Sequence, residues 1–145
     1  NPDYWFTQAG SHSYRMALYP HDGNWRFAYK DGLAFNTPLA AYSGKGEKPA
    51  VNTSLPLLKS LISVSPSNIL VSALKQGEAG DGLVVRFYEA EGRYTKAIIK
   101  GFKPFSKVYL TNMIEYDEKE LPVEADGSIA ISVKPWEIVN IKIIK

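Results

Sequence analysis

Two histidines are the first residues to examine for chemistry, because imidazole is the commonest protein ligand for metals and a frequent general base. His12 and His21 lie nine positions apart, and an odd spacing puts two side chains on opposite faces of a straight strand. Neither has a carboxylate at helical spacing, and the chain has no cysteine, which excludes thiolate ligands and a cysteine nucleophile. We therefore expect no metal site and no bound cofactor in this chain, and a structural or interface role for both histidines.

Carboxylates are the next candidates, because a pair of them can supply a general acid together with a base or nucleophile. Glu89 and Glu91 straddle a predicted hairpin turn, while Asp117, Glu118 and Glu120 fall in a polar stretch that predicts a solvated connection. Nothing in the surrounding sequence indicates the burial that raises the pKa of a carboxyl group. Serines are frequent, but none lies in a Gly-x-Ser-x-Gly elbow. The sequence thus predicts no catalytic residue.

Aromatic side chains are concentrated before residue 36, in two groups: Tyr4, Trp5 and Phe6, then Trp25, Phe27, Tyr29 and Phe35. Exposed aromatic rings either stack on sugars or seal an interface between domains, and we favour an interface. Trp and Arg are among the residues that most often anchor interfaces. We therefore predict that the segment Tyr4–Phe35 is a contact surface, that Trp25 and Arg26 anchor it, and that His21 lies at its rim.

The composition is that of an ordinary globular chain of 145 residues, with 45% hydrophobic and 22% charged residues. The net charge of +2 is spread along the sequence without a basic stripe, so we expect no nucleic-acid partner. No apolar run reaches the length of a membrane-spanning helix, so we expect no membrane association. The absence of cysteine fits a reducing compartment and predicts a cytoplasmic protein. Because the first residue is Asn1, we expect an excised piece of a longer polypeptide.

The first third of the chain gives mixed signals. His12–Tyr19, called the alternating segment below, places His12, Tyr14, Met16 and Leu18 on one face, which predicts a strand that ends at Pro20. A short helix is predicted within Trp25–Leu39, broken by Gly32 and Pro38. Residues 43–56 are rich in glycine, proline and serine and predict an exposed loop.

The remainder of the chain is typical of β structure. Apolar alternation and turn residues predict strands at Leu61–Ser65, Asn68–Lys75, Gly82–Glu89, Arg93–Lys100, Lys107–Glu115, Ser128–Val133 and Glu137–Ile144. With the alternating segment this makes about eight short strands, and no helical pattern separates them. We therefore predict an all-β fold, an antiparallel β-sandwich with little helix, in a single domain over 1–145. Residues 1–56 form a loosely structured N-terminal segment of it, and 57–145 carry the main strands.

Two stretches of the sequence resemble family 38 of the glycoside hydrolases, the α-mannosidases. The first is GSHSYRMALYPHDGNWRFA followed by LAFNTPL, where the matching positions are Gly10, His12, Tyr14, Leu18, Pro20, His21, Gly23, Trp25, Asn36, Pro38 and Leu39. The second is ILVSALKQGEAGDGLVVRFYEAEGR, with a later run of Pro135, Trp136, Glu137 and Ile138. The family more often has Phe at the position of Trp136. The resemblance extends from about Gly10 to Lys145.

The resemblance implies a long, multi-domain parent enzyme that hydrolyses α-mannosides with retention. An N-terminal α/β domain of such enzymes holds the catalytic carboxylates and a divalent metal, usually zinc, and none of the residues here matches them. The implied role is a C-terminal accessory domain that supports or docks on the catalytic domain and meets carbohydrate only through the parent. His21, Trp25 and Arg26 would then line either the interdomain contact or the rim of the sugar site. A freestanding carbohydrate-binding module is the alternative, and self-association stays open.

Overall fold

The computed structural model describes residues 10–41 and 58–144. The chain divides into two compact units, Asn1–Glu47 and Lys48–Lys145. The predicted loop at 43–56 and the aromatic group at Tyr4–Phe6 lie outside the described residues, so both stay predictions. No helix in the described ranges is long and apolar enough to cross a membrane.

Helical structure in the described residues is confined to the first unit. A 3₁₀ turn at Trp25–Phe27 begins where the side chain of Asn24 accepts a hydrogen bond from the backbone N–H of Arg26 at 3.0 Å. The helix α1 follows at Tyr29–Asn36. The helix predicted within Trp25–Leu39 is therefore present, but Gly32 lies inside α1 and does not break it. Only Pro38, beyond the last turn, agrees with a helix end.

The prediction of a strand in the alternating segment is wrong, because no strand among the described residues pairs with it. Alternation in a sequence reports which way side chains point, whereas a strand also requires a hydrogen-bonded neighbour.

The described residues of the second unit, 58–144, form eight strands in two sheets. They are β1 (Ile62–Ser65), β2 (Ile69–Gln76), β3 (Leu83–Glu89), β4 (Thr95–Gly101), β5 (Lys107–Thr111), β6 (Asp117–Leu121), β7 (Ile129–Val133) and β8 (Ile138–Ile144). One sheet has the order β1-β4-β7 and the other β2-β3-β8-β5-β6, and every pairing is antiparallel. The predicted all-β antiparallel sandwich is confirmed.

The core lies between the inward faces of the two sheets. Its fully buried members come from both sheets: Val85, Phe87, Ala97, Ile99, Val108, Ile129, Val133 and Ile141. In β4 they alternate with outward-facing residues, which is the period of two that predicted this strand. Burial of such side chains stabilises a domain by about 1.5–3 kcal/mol each.

Two parts of the second unit differ from the predictions by more than two residues. Asp117–Leu121, expected as a polar connection, forms β6 at the edge of the five-stranded sheet. An edge strand with one open side tolerates charge on both faces, so its sequence lacks the apolar alternation of an interior strand. The strand predicted to extend to Glu115 ends at Thr111, because the chain turns over Asn112–Tyr116, where Asn112 Oδ1 accepts from the N–H groups of Ile114 and Tyr116.

Candidate functional site

The predicted anchor residues lie on the surface of the first unit. The guanidinium of Arg26 is 5.3 Å from the centroid of the Trp25 ring, and that ring is 5.7 Å from the ring of Tyr29. Trp25 is 48% exposed. His21 has its ring contact with Tyr19, at 6.3 Å between centroids. The structure thus brings Trp25 and Arg26 together and directs His21 to the preceding segment.

Apolar side chains of the first unit are left in contact with water. None of its described residues, 10–41, is buried. Tyr14 is 79% exposed, Met16 88% and Leu18 96%. Large exposed apolar patches on soluble proteins often mark interaction sites, so these side chains are candidates for an interface.

A groove of about 550 Å³ separates the alternating segment from α1. Arg15 crosses it: its Nη2 donates to the backbone carbonyl of Phe35 at 2.8 Å, and its guanidinium lies 4.6 Å from the centroid of the Phe35 ring. The remaining lining is mostly apolar and includes Met16, Leu18 and Tyr19. Arg15 thus makes both a hydrogen bond and a cation–π interaction with Phe35, and these hold the alternating segment against α1.

In the second unit, the prediction that Glu89 is solvated is wrong, since Glu89 is completely buried. Its Oε1 accepts hydrogen bonds from the Asn68 side chain at 2.8 Å and from the N–H of Glu91 at 2.8 Å. Its Oε2 accepts from the N–H groups of Gly92 at 2.7 Å, Arg93 at 3.1 Å and Trp136 at 3.1 Å. Five donors therefore occupy the two oxygens, and the carboxylate joins the β3–β4 turn to the β7–β8 turn.

The hydrogen bonds decide the protonation state of Glu89. Burial by itself raises the pKa of this carboxyl group, but the bonds from Asn68, Trp136, Glu91 and Gly92 favour the charged form and lower the pKa to about 2. A carboxyl group with this pKa stays ionised at neutral pH and cannot act as a general acid. Because its oxygens are already bonded and shielded from solvent, Glu89 has no oxygen to offer a substrate.

A second polar cluster lies on the outer face of the five-stranded sheet, beside a cavity of about 290 Å³. The side chain of Lys142 is only 7% exposed, and its Nζ is 2.8 Å from Asp81 and 2.9 Å from Asp117. Hydrogen bonds to both carboxylates raise the pKa of Lys142, and the bond from Lys142 lowers the pKa of Asp81. The ammonium thus bridges two carboxylates and ties the β2–β3 loop and β6 to β8.

Glu115 completes this cluster. It has a positive φ of 69° and accepts a salt bridge from Lys75 at 2.7 Å, while its Oε2 accepts from the N–H of Glu78 at 2.8 Å. The bond from Lys75 lowers the pKa of Glu115. Sequence reasoning missed this cluster and Glu89, because each depends on partners far away in the chain. The one local signal for Glu89 was its position just before a predicted turn. It precedes the N–H groups of Glu91, Gly92 and Arg93 by two to four residues, which is within reach of its side chain.

The described residues do not fit the zinc ion that the resemblance implies for the parent enzyme. Among residues 10–41 and 58–144, no group of three or more His, Asp or Glu side chains is arranged to hold a metal. His12 and His21 are both exposed, and their ring contacts are with Tyr14 and Tyr19. No chemical step is therefore assigned to a metal in this chain.

Known proteins resemble this chain along nearly its whole length. Alpha-mannosidase 2C1 of Homo sapiens is 23% identical over 144 residues, which cover 95% of this chain and 13% of that protein. Alpha-mannosidase 2C1 of Mus musculus is 26% identical over 142 residues, which cover 93% of this chain and 13% of that protein. The chain thus spans 13% of the length of these relatives.

The matched part of the sandwich includes strands from both sheets. Residues 68–141 match the family model for the glycosyl hydrolases family 38 C-terminal beta sandwich domain. That range begins beside β2, includes the Glu89 carboxylate with all five of its donors, and ends within β8. The chain belongs to glycosyl hydrolase family 38, of which it contains the C-terminal β-sandwich domain.

Proposed function

We propose that this chain is the C-terminal accessory domain of an α-mannosidase, that the parent enzyme hydrolyses α-mannosides with retention, and that the domain supports the catalytic part without contributing a catalytic residue. The observation that carries the proposal is the family match over residues 68–141, within which the one fully buried carboxylate, Glu89, is engaged by five internal donors. The 13% coverage of the alpha-mannosidase relatives favours a supporting role within a much longer protein.

The chemistry of the other acidic groups supports the absence of catalysis. Retaining glycosidases place two carboxyl groups about 5–5.5 Å apart, one ionised and one protonated. Asp81 and Asp117 share the Lys142 ammonium, and Glu115 is bonded to Lys75, so each of these groups is committed to a cation. A protonated carboxyl group is disfavoured beside an ammonium. Zinc, where the parent uses it, belongs to another part of that protein.

The first unit supplies the surface through which the domain docks. Trp25 and Arg26 form one amphipathic anchor, and Tyr14, Met16 and Leu18 add further apolar area in the same unit. Interdomain contacts commonly bury about 600–1,500 Å², which a few exposed aromatic and aliphatic side chains of this kind can provide.

An activity and metal assay tests the proposal. We expect the purified chain to leave p-nitrophenyl α-mannoside unhydrolysed and to retain no stoichiometric zinc after dialysis, whereas the protein from the complete reading frame hydrolyses the substrate. Turnover by the chain alone that survives a mock purification from cells lacking it contradicts the accessory role. An inactive full-length protein contradicts the assignment to an α-mannosidase.

The rival function, a freestanding carbohydrate-binding module, calls for exposed aromatic rings in a row on a sheet face. The outer face of the three-stranded sheet instead carries Ser63, Ser65, Lys96, Ile98, Lys100, Ala130 and Ser132. The most exposed aromatic rings of the second unit include Tyr94 and Trp136, which lie at turns. We therefore expect no retardation of the chain on mannan in affinity electrophoresis, and retardation that free mannose reverses would favour the rival.

A further inference from the structure

We propose that the Asp22–Gly23 pair is a site of spontaneous chemical modification, at which Asp22 converts to isoaspartate through a succinimide ring. The chain has four Asp-Gly pairs, which begin at Asp22, Asp31, Asp81 and Asp126. Glycine has no Cβ to shield its backbone nitrogen, so each pair has the composition that this reaction favours. The structure restrains the last three pairs and leaves the first exposed. The inference is independent of the proposed function.

The reaction needs no reagent other than water. The backbone nitrogen of Gly23 attacks the side-chain carboxyl carbon of Asp22, a C–N bond forms, and the C–OH bond breaks. The hydroxyl group leaves with the amide proton as one water molecule. Water then opens the five-membered ring at either carbonyl carbon, which restores aspartate or gives isoaspartate, so the atoms balance. Isoaspartate adds one methylene group to the main chain, just before the turn that presents Trp25.

The surroundings of Asp22 leave its carboxyl group open to this attack. Asp22 and Gly23 are exposed and lie in a bend before the 3₁₀ turn at Trp25–Phe27. The contact that the structure records for Asp22 is made by its backbone carbonyl, 3.3 Å from Nδ1 of His21, and not by its carboxyl group. Gly23 has a φ of 84°, and a Cβ added there would lie 2.8 Å from the Phe27 ring. The bend therefore requires glycine, and this requirement keeps the pair reactive.

The Asp126–Gly127 pair is held at both reacting groups. Oδ1 of Asp126 accepts from the N–H and the hydroxyl of Ser128 at 3.0 and 2.6 Å, and Oδ2 accepts from Lys100 at 2.9 Å. The N–H of Gly127 donates to the carbonyl of Glu124 at 2.8 Å. The bonds from Ser128 and Lys100 lower the pKa of Asp126, and an ionised carboxylate loses an oxygen far less readily than a neutral carboxyl group.

The Asp81–Gly82 pair is restrained by a cation and by packing. Oδ2 of Asp81 accepts from Nζ of Lys142 at 2.8 Å, and this bond lowers the pKa of Asp81. A Cβ added at Gly82 would lie 2.6 Å from the backbone carbonyl oxygen of Ile143, so this glycine is closely packed against β8. Ring closure at Asp81 would break the ion pair and move this packed backbone.

The Asp31–Gly32 pair is restrained by α1. The N–H of Gly32 donates to the carbonyl of Ala28 at 3.3 Å, so the attacking nitrogen is engaged. Ring closure requires the backbone to leave its helical φ and ψ, which breaks this turn. Because α1 contains no buried residue, it opens more easily than the sheets of the second unit. The reactivity of Asp31 should therefore lie between that of Asp22 and those of Asp81 and Asp126.

Incubation of the folded chain at neutral pH in water enriched in a heavy oxygen isotope tests the proposal. Each passage through the ring leaves one heavy oxygen at the aspartate, and tandem mass spectrometry of peptides measures the four sites separately in one sample. We expect label at Asp22 to accumulate at least about tenfold faster than at Asp81 and Asp126, with Asp31 between them. Label that accumulates at Asp81 or Asp126 as fast as at Asp22 overturns the proposal.

Two controls separate the fold from the local sequence. In urea the four sites should be labelled at rates within about threefold of one another, because unfolding removes the restraints. A preference for Asp22 that persists unchanged in urea overturns the structural argument. Asp22→Glu forms its six-membered ring far more slowly, so label at position 22 should be lost while the melting temperature and the other three sites stay unchanged. Label that remains at position 22 in this variant shows that oxygen enters without the ring, and overturns the proposal.

Discussion

Five donors converge on the carboxylate of Glu89, and they come from three separate stretches of the chain. Asn68 precedes Glu89 by 21 residues and Trp136 follows it by 47. No local pattern could predict this, since the sequence beside Glu89 shows only a turn after a strand. The sequence did predict the turn and the strand. The environment of the carboxylate arises when β2, β3 and β8 are brought together, which a single sequence does not report.

Replacement of Glu89 by Gln should destabilise the chain by about 3 kcal/mol. A difference between a pKa of about 2 in the folded state and 4.5 ordinarily corresponds to this amount. The Gln side chain also places an NH₂ group against backbone N–H groups. Both are hydrogen-bond donors, so no bond forms between them. Urea unfolding at pH 7 measures the change. Glu120→Gln, on the exposed strand β6, is the matched control and should have little effect. Equal losses of stability in the two variants would contradict a stabilising role for the buried Glu89 carboxylate.

The pH dependence of that difference follows from the lowered pKa. Stability from Glu89 is fully present above pH 4.5, the ordinary pKa, and is lost as the pH falls toward about 2. The gap in unfolding free energy between the natural chain and Glu89→Gln should therefore be constant from about pH 7 to 5 and shrink below 4.5. Urea titrations at closely spaced pH values check this. A gap that does not change as the pH falls well below the ordinary pKa would rule out the charge as its source.

At the scale of elements, apolar alternation in the sequence predicts most strands but does not predict which segments find a pairing partner. Strands β3, β4, β7 and β8 were predicted within one or two residues, because each contributes side chains to the core. The edge strand β6 was missed and the alternating segment was overpredicted, because pairing depends on a neighbour and not on pattern.

Gly92 shows how closely the β3–β4 and β7–β8 turns pack. It has a φ of 76°, and a Cβ added there would lie 2.7 Å from the Trp136 ring. Gly80 has a similar φ of 72°, but its nearest contact would be 3.8 Å away. Gly92→Ala should therefore cost about 1–2 kcal/mol more than Gly80→Ala, since both carry the backbone strain and only one meets the ring. Thermal unfolding compares the two, and equal costs would show that the ring moves aside freely.

Lys142 is the corresponding test on the outer face of the five-stranded sheet. Lys142→Met leaves Asp81 and Asp117 without their shared cation, and we expect a loss of about 1–3 kcal/mol, below that of a fully buried pair because both carboxylates reach water. Lys107→Met, which removes an exposed ion pair with Glu120, is the control and should change little. Denaturant unfolding measures the stability of both variants. If Lys142→Met leaves the free energy of unfolding unchanged, the cluster is dispensable for stability.

At the scale of the whole molecule, the two units are built on different principles. The second unit buries a core between its sheets, whereas none of the described residues of the first unit is buried. The sequence allowed the fold class and the family to be predicted, since both depend on strand patterns and ordered motifs. The exposure of Trp25 and Phe27 agrees with the sequence analysis, while their role in a contact surface stays a prediction.

Trp25→Ala tests the anchor in the intact protein. Truncation should cost about 1–4 kcal/mol of docking in the longer protein that we propose, while the isolated chain keeps its stability. Thermal melts of both proteins, with and without the substitution, measure the difference. Tyr94→Ala removes another exposed ring, at a turn of the second unit, and should lower neither melt. If the isolated chain loses as much stability as the enzyme, Trp25 supports the domain itself.

The exposure of Met16 has a chemical consequence. Oxidation of a thioether to the sulfoxide makes an apolar side chain polar, and it requires access to the sulfur. Met16 and Met113 are the two methionines of the chain, and both are exposed. Dilute hydrogen peroxide should therefore oxidise both in the isolated chain, and mainly Met113 in the longer protein if the proposed docking of the first unit covers Met16. Peptide mass spectrometry reads the two sites separately, so the ratio of their sulfoxides records how much of the domain was assembled when the oxidant arrived.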